Sequence, residues 1–162
     1  MFKVDLKIIT IAFIFSIFQV KTLFAQNFSF NLTSISLNFN YTAYTDFTTS
    51  RTIVRAFTLN IINDRGRKDG DYNVYCKIVP SIPSAPTALF SVKVNGANFL
   101  TINPSFYLAK KIGLNDVLVA NVTGRKKKTD IIYYDLILDP LPFTFDATLY
   151  NYNFVFTVVE II

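Results

Sequence analysis

Tyr150-Asn151-Tyr152-Asn153-Phe154-Val155-Phe156-Thr157-Val158, close to the end of the chain, alternates large apolar side chains with mostly polar ones. A β-strand sends successive side chains to opposite faces, so Tyr150, Tyr152, Phe154, Phe156 and Val158 share one face. Asn151, Asn153, Val155 and Thr157 occupy the other. A helix would spread the five large side chains around its circumference and leave no coherent apolar stripe. The stretch therefore predicts a strand of at least these 9 residues. Each of its large side chains stabilises by about 1.5–3 kcal/mol if fully buried, which makes the strand an expected central element of the fold.

The same period recurs upstream. Phe28, Phe30 and Leu32 alternate with Ser29 and Asn31, and after Thr33-Ser34 the phase moves to Ile35, Leu37 and Phe39, which predicts a bulge or a strand break there. Phe57, Leu59 and Ile61 form one half-buried strand, and Tyr72, Val74, Cys76 and Ile78 another. The polar, glycine-bearing loop between them predicts an antiparallel neighbouring pair. Phe90, Val92 and Val94 run into Asn95-Gly96, a two-residue hairpin signal, with Phe99 to Ile102 expected to return. Val117 to Thr123 and Ile131 to Leu138 add two strands, while Ser105 to Ile112 reads equally as a helical turn or a short strand. Ser81 to Pro86 and Asp139 to Pro142 are proline-bearing and fit connections between sheets. About 7–9 antiparallel strands without a long helical pattern predict an all-β sandwich, with an immunoglobulin-like Greek key as the leading topology.

The chain has 162 residues, 51% of them hydrophobic and 16% aromatic, which is enough apolar surface for one ordinary domain and excludes a disordered chain. It contains no His and one Cys, so imidazole bases, zinc ribbons and intrachain disulfides are excluded.

The first residues carry Lys3 and Lys7 and then an uncharged apolar run, Ile8 to Phe18, that is too short for the roughly 20 residues needed to span a bilayer. With Leu23-Phe24-Ala25 following, residues 1–25 read as a signal peptide cleaved before Gln26, and residues 26–162 as the single mature domain. An uncleaved anchor or a buried first helix is the other reading. Cleavage would remove Lys3, Lys7, Lys21 and Asp5, leaving thirteen basic and ten acidic residues and lowering the net charge from +5 to +3. Nucleic-acid binding then loses its compositional basis, and no membrane span is expected in the mature chain.

Asp64, Asp69 and Asp71 form the densest acidic cluster, but they lack the alternating oxygen ligands and late Glu of a calcium loop, and Arg65, Arg67 and Lys68 neutralise them. A solvated hairpin tip is the expected reading, with a weak cation site as the alternative. Arg125-Lys126-Lys127-Lys128 reads as a turn kept soluble by charge, its alternative being an anion contact. Cys76 falls on the apolar phase of its strand and is expected to pack in the core. Asn31-Leu32-Thr33, Asn40-Tyr41-Thr42 and Asn121-Val122-Thr123 match the N-glycosylation pattern. Gly-rich phosphate loops and Gly-x-Ser-x-Gly are absent from the sequence, and Glu160 is the only Glu. No catalytic, cofactor-binding or metal-ligating residue is assigned, and an enzyme is not expected.

The order of segments, with Ala56-Phe57-Thr58-Leu59-Asn60, Asp71 to Lys77, and Asp139-Pro140 followed by Ala147 to Thr157, resembles secreted bacterial surface and fimbria-associated domains with an immunoglobulin-like or pilin-like sandwich. That resemblance implies a non-catalytic role in adhesion or surface assembly in the periplasm, at the outer membrane or outside the cell. Partners would be other surface or pilus-like subunits joined by β-strand addition, or glycans. Phe28 to Leu32 is the segment such an exchange would donate, against an ordinary first strand within its own sandwich. A soluble carbohydrate- or lipid-binding module is the alternative function.

Overall fold

The computed structural model describes residues 28–39, 45–63, 70–83, 85–99, 102–125, 128–141 and 151–161. The expected signal peptide, Asp64, Asp69, Lys126, Lys127, the Asn40 sequon and Tyr150 lie outside the described residues.

Among the described residues, eight strands form two antiparallel sheets packed as a sandwich. They are β1 (Phe28–Ser34), β2 (Arg51–Asn63), β3 (Gly70–Pro80), β4 (Phe90–Ala97), β5 (Lys110–Lys111), β6 (Val117–Arg125), β7 (Lys128–Leu138) and β8 (Tyr152–Ile161). One sheet has the order β1-β2-β7-β4-β5 and the other β6-β3-β8. A four-residue helix, Thr45–Thr48, and a 3-10 turn, Pro104–Tyr107, complete the described elements. The segment from Ser105 to Ile112 thus contains both of its expected forms, the turn and the short strand β5.

The core lies between the sheets because each strand turns one alternating set of apolar side chains inward. Phe57, Leu59 and Ile61 of β2, Ile132, Tyr134 and Leu136 of β7, and Phe90, Val92 and Val94 of β4 are buried on the wider sheet. Tyr72, Val74, Cys76 and Ile78 of β3 face them, as the period-two reading requires. Phe57 meets both Phe154 and Phe156 with ring centroids 5.2 Å apart, and Phe90 meets Phe154 edge-on. These tilted contacts suit the aromatic quadrupole and join β8 to the wider sheet.

Two expectations are corrected. First, β2 and β3 are not neighbours in one sheet: β2 pairs with β1 and β7, β3 with β6 and β8. Two half-apolar strands joined by a polar loop satisfy the same alternation whether they lie side by side or face each other across the core, and here they face. Second, Asn95-Gly96 is not a hairpin turn. β4 continues through it to Ala97, with its register against β7 shifting between Val94 and Gly96, and Ile102 makes only an isolated bridge to Val122. A glycine after Asn suits a bulge as well as a turn.

β8 lies at the end of the described three-stranded sheet, and its Phe154 and Phe156 close the core against Phe57, Phe90 and Tyr134. Its expected inward set is correct, since Phe154, Phe156 and Val158 stand opposite Ile78, Cys76 and Val74, yet only Phe156 is fully buried. Phe154 and Val158 are half-covered because no described strand lies beyond β8. The phase change at Thr33-Ser34 is where β1 ends, and Leu37 and Phe39 beyond it still pack against the core. Ser81 to Pro86 and Asp139-Pro140 both lie on connections that pass from one sheet to the other. Phe28 to Leu32 pairs with β2 of the same chain.

Candidate functional site: facing bulges beside Asp135

β7 is flanked by an irregularity on each side, at nearly the same level. On β2, Ile53 pairs with Leu136 and Phe57 with Tyr134, so Val54, Arg55 and Ala56 all oppose Asp135. On β4, Val94 pairs with Tyr134 and Gly96 with Tyr133, leaving Asn95 as the extra residue. Bulges re-aim side chains and concentrate near functional sites.

Asp135 sits where the two meet. Its neighbours Tyr134 and Leu136 point into the core, so its own side chain points to the outer face, yet it is only 2% exposed. A carboxyl group removed from water requires hydrogen-bond partners. Asp135 Oδ1 accepts from the Arg55 backbone N–H at 2.8 Å, and Oδ2 accepts from Asn95 Nδ2 at 3.2 Å. Lys93 Nζ lies 3.5 Å from Oδ2.

Arg55 has φ of 50°, the only positive value among the described non-glycine residues. A side chain in this left-handed region costs about 1–2 kcal/mol, and the bond from its N–H to Asp135 holds it there. The bulge turns the side chain across β7, where the guanidinium lies 4.8 Å from the centre of the Tyr133 ring and Nε donates to Asn95 Oδ1 at 3.2 Å. Arg55, Asn95 and Asp135 thus clasp three strands from outside. Arg55 is exposed, while Lys93 and Tyr133 are half-buried. The patch presents two cations, one amide and one aromatic ring around a single shielded carboxyl group, an arrangement that favours a polar, anionic ligand with an apolar face.

The sequence contains no motif for this constellation. The available signal is Asp135 itself, an acidic residue within the apolar run Ile131 to Leu138, together with the glycine after Asn95.

The other candidate residues are not brought into a site. Asp71, at the start of β3, is half-buried opposite Ile161. Among the described residues no group of three or more Cys, Asp or Glu side chains gathers into a metal-binding arrangement. Asn31 is exposed on β1, whereas Asn121 on β6 uses its amide to donate to Asn73 Oδ1 at 2.8 Å.

Cys76 is fully buried, as expected, and its thiol is pushed up to about 12 by burial and by the negative charge of Asp116. A thiol so far from its thiolate is a packing group. Beside it, the fully buried Tyr134 is raised well above its usual value, first by burial and then by Cys76, and its hydroxyl has no hydrogen-bond partner among the described residues.

Comparison with family models, curated proteins and solved structures finds no match, so function rests on this geometry.

Proposed function

We propose that the chain is an exported, non-catalytic surface adhesion module whose outer face at Arg55, Lys93, Asn95 and Tyr133 holds an acidic glycan. The observation that carries this reading is the strained Arg55, held by a buried carboxyl group so that its guanidinium lies on the outside of the wider sheet. Arginine presents a planar fork of donors that matches a carboxylate, and a tyrosine ring offers a flat face to the C–H side of a sugar. Lys93 supplies a second cation close by.

The lysine-bearing, apolar N-terminus supports export. The strand order supports an immunoglobulin-like variant: β1-β2-β7-β4 follows the A-B-E-D order, with β3 and β8 in the C and F positions. Nothing in the proposed face asks for a general base or a nucleophile.

Two measurements test the reading. Mass spectrometry of secreted material should find Gln26 as the first residue, and recovery of uncleaved chains from membranes would contradict export with cleavage after Ala25. A glycan array should show retention on uronate- or sialate-bearing saccharides over neutral ones. Equal binding to neutral saccharides, or none to acidic ones, would contradict the site.

A further inference from the structure

A guanidinium group offers an anion two bidentate edges, Nε with one Nη or the two Nη together. In Arg55 the first edge is closed. Nε donates to Asn95 Oδ1, while neither Nη group has a partner among the described residues. Asn95 is itself oriented by Asp135, because its Nδ2 donates to Asp135 Oδ2 and its Oδ1 is thereby turned towards Arg55. The Tyr133 ring lies 4.8 Å from the guanidinium carbon and covers one of its two faces. What remains open is the Nη edge.

Asp135 also sets the charge of this face. Lys93 stands directly opposite it in the β4–β7 pair, with Nζ 3.5 Å from Oδ2. Among the described residues neither side chain makes another ion pair. The carboxyl group thus matches one of the two cations, and Arg55 is left as a single uncompensated positive charge. A second negative charge on an anion at the Nη edge meets no further cation. It is also repelled by Asp135, which at 2% exposure is poorly screened by water.

We propose that Asp135 is the positioning residue that sets the specificity of this face, limiting it to a singly charged acidic sugar that gains nothing from a second negative charge. This deepens the acidic-glycan reading and rests on it. Asp135 does not touch the ligand; it acts through the backbone of Arg55, the amide of Asn95 and the ammonium of Lys93.

Galactose 6-sulfate and galactose 6-phosphate test the limit. Both carry a tetrahedral anion on the same carbon, but at pH 8 the sulfate has one negative charge and the phosphate about two. NMR titrations of the folded protein compare them at the Arg55 and Tyr133 amides, with galacturonate locating the site. In the wild type both should bind, the phosphate no more than about twofold more tightly than the sulfate. Asp135→Asn keeps an oxygen for the Arg55 N–H and frees Lys93, so it should favour the phosphate over the sulfate at least about fivefold. A merely structural role for Asp135 would weaken both alike and leave their ratio unmoved.

An unmoved ratio in the folded variant would overturn the proposal, as would a wild type that already prefers the phosphate about fivefold. Exclusion of the sulfate where galacturonate binds would place the selection in shape rather than charge and overturn it too. If Asp135→Asn does not fold, the wild type decides. At pH 5 the phosphate carries about one charge and should bind within about twofold of its affinity at pH 8, and a larger gain at pH 8 would overturn the charge limit. Galacturonate shifts absent from Arg55 and Tyr133 would overturn the glycan reading and this inference with it, whereas every other outcome leaves that reading standing.

Discussion

The Tyr72 hydroxyl donates to Asp130 Oδ2 at 2.9 Å across the interior, linking β3 of one sheet to β7 of the other. Both residues are essentially inaccessible to water, so this is a polar bond set within an apolar core. Removing the donor leaves a buried acceptor with one partner fewer, a loss of about 1–3 kcal/mol. Tyr72→Phe should therefore lower the urea midpoint by that free energy without changing the slope of the transition. An unchanged midpoint would show that the bond contributes nothing net.

Arg55 separates backbone strain from side-chain function. Glycine adopts a φ of 50° freely, while alanine retains the penalty of a Cβ. Both variants keep the N–H that Asp135 accepts. Arg55→Gly should be more stable than Arg55→Ala by about 1 kcal/mol in chemical denaturation, despite glycine's greater freedom in the unfolded chain. Equal stability of the two variants would remove the strain from the account.

Tyr134 places a hydroxyl in the core with no described partner. Deleting that oxygen removes an unsatisfied polar group at little cost in packing. Tyr134→Phe is expected to stabilise the fold by about 1 kcal/mol. A comparable loss of stability would mean that the hydroxyl makes a bond in solution.

Cys76 should resist thiol reagents at neutral pH and react only once the protein unfolds. Its raised value also sets a pH dependence. The unfolded thiol ionises near 9, the folded one near 12. The unfolded state thus loses its proton first, and the thiol's contribution, complete below pH 9, falls as the pH rises towards 12. The slope approaches about 1.4 kcal/mol per pH unit. Tyr134, also raised, adds loss of the same sign in strongly alkaline solution. Cys76→Ala should flatten the decline of stability between pH 9 and 12 relative to wild type. Rapid labelling of native Cys76, or an identical decline in the variant, would contradict its burial.

Alternation made much of the fold legible in the sequence. Tyr72, Val74, Cys76 and Ile78 lie inside because a half-buried strand has one apolar face, and the inward set of β8 follows from the same rule. Alternation carries no information on which sheet receives a strand, and the polar loop between β2 and β3 suits a side-by-side pair as well as the facing one observed. It is equally silent on whether Phe154 and Val158 have a neighbour beyond β8. The candidate site was less legible still. Val54 to Ala56 contains neither Gly nor Pro to announce a break in register, and the bulge exists because Asp135 accepts from the N–H it exposes. That bond spans 80 residues of sequence, so no local pattern records it.

The most direct measurement of the central claim is an NMR titration of the folded protein with an oligogalacturonate, using a neutral maltooligosaccharide as control. The acidic saccharide should perturb the amides of Arg55, Lys93, Asn95 and Tyr133 in a saturable way. Arg55→Gly, which keeps the backbone and removes the guanidinium, should abolish those shifts while its spectrum stays that of a folded sandwich. Saturable shifts that persist in Arg55→Gly, or that map to a different face, would contradict the account.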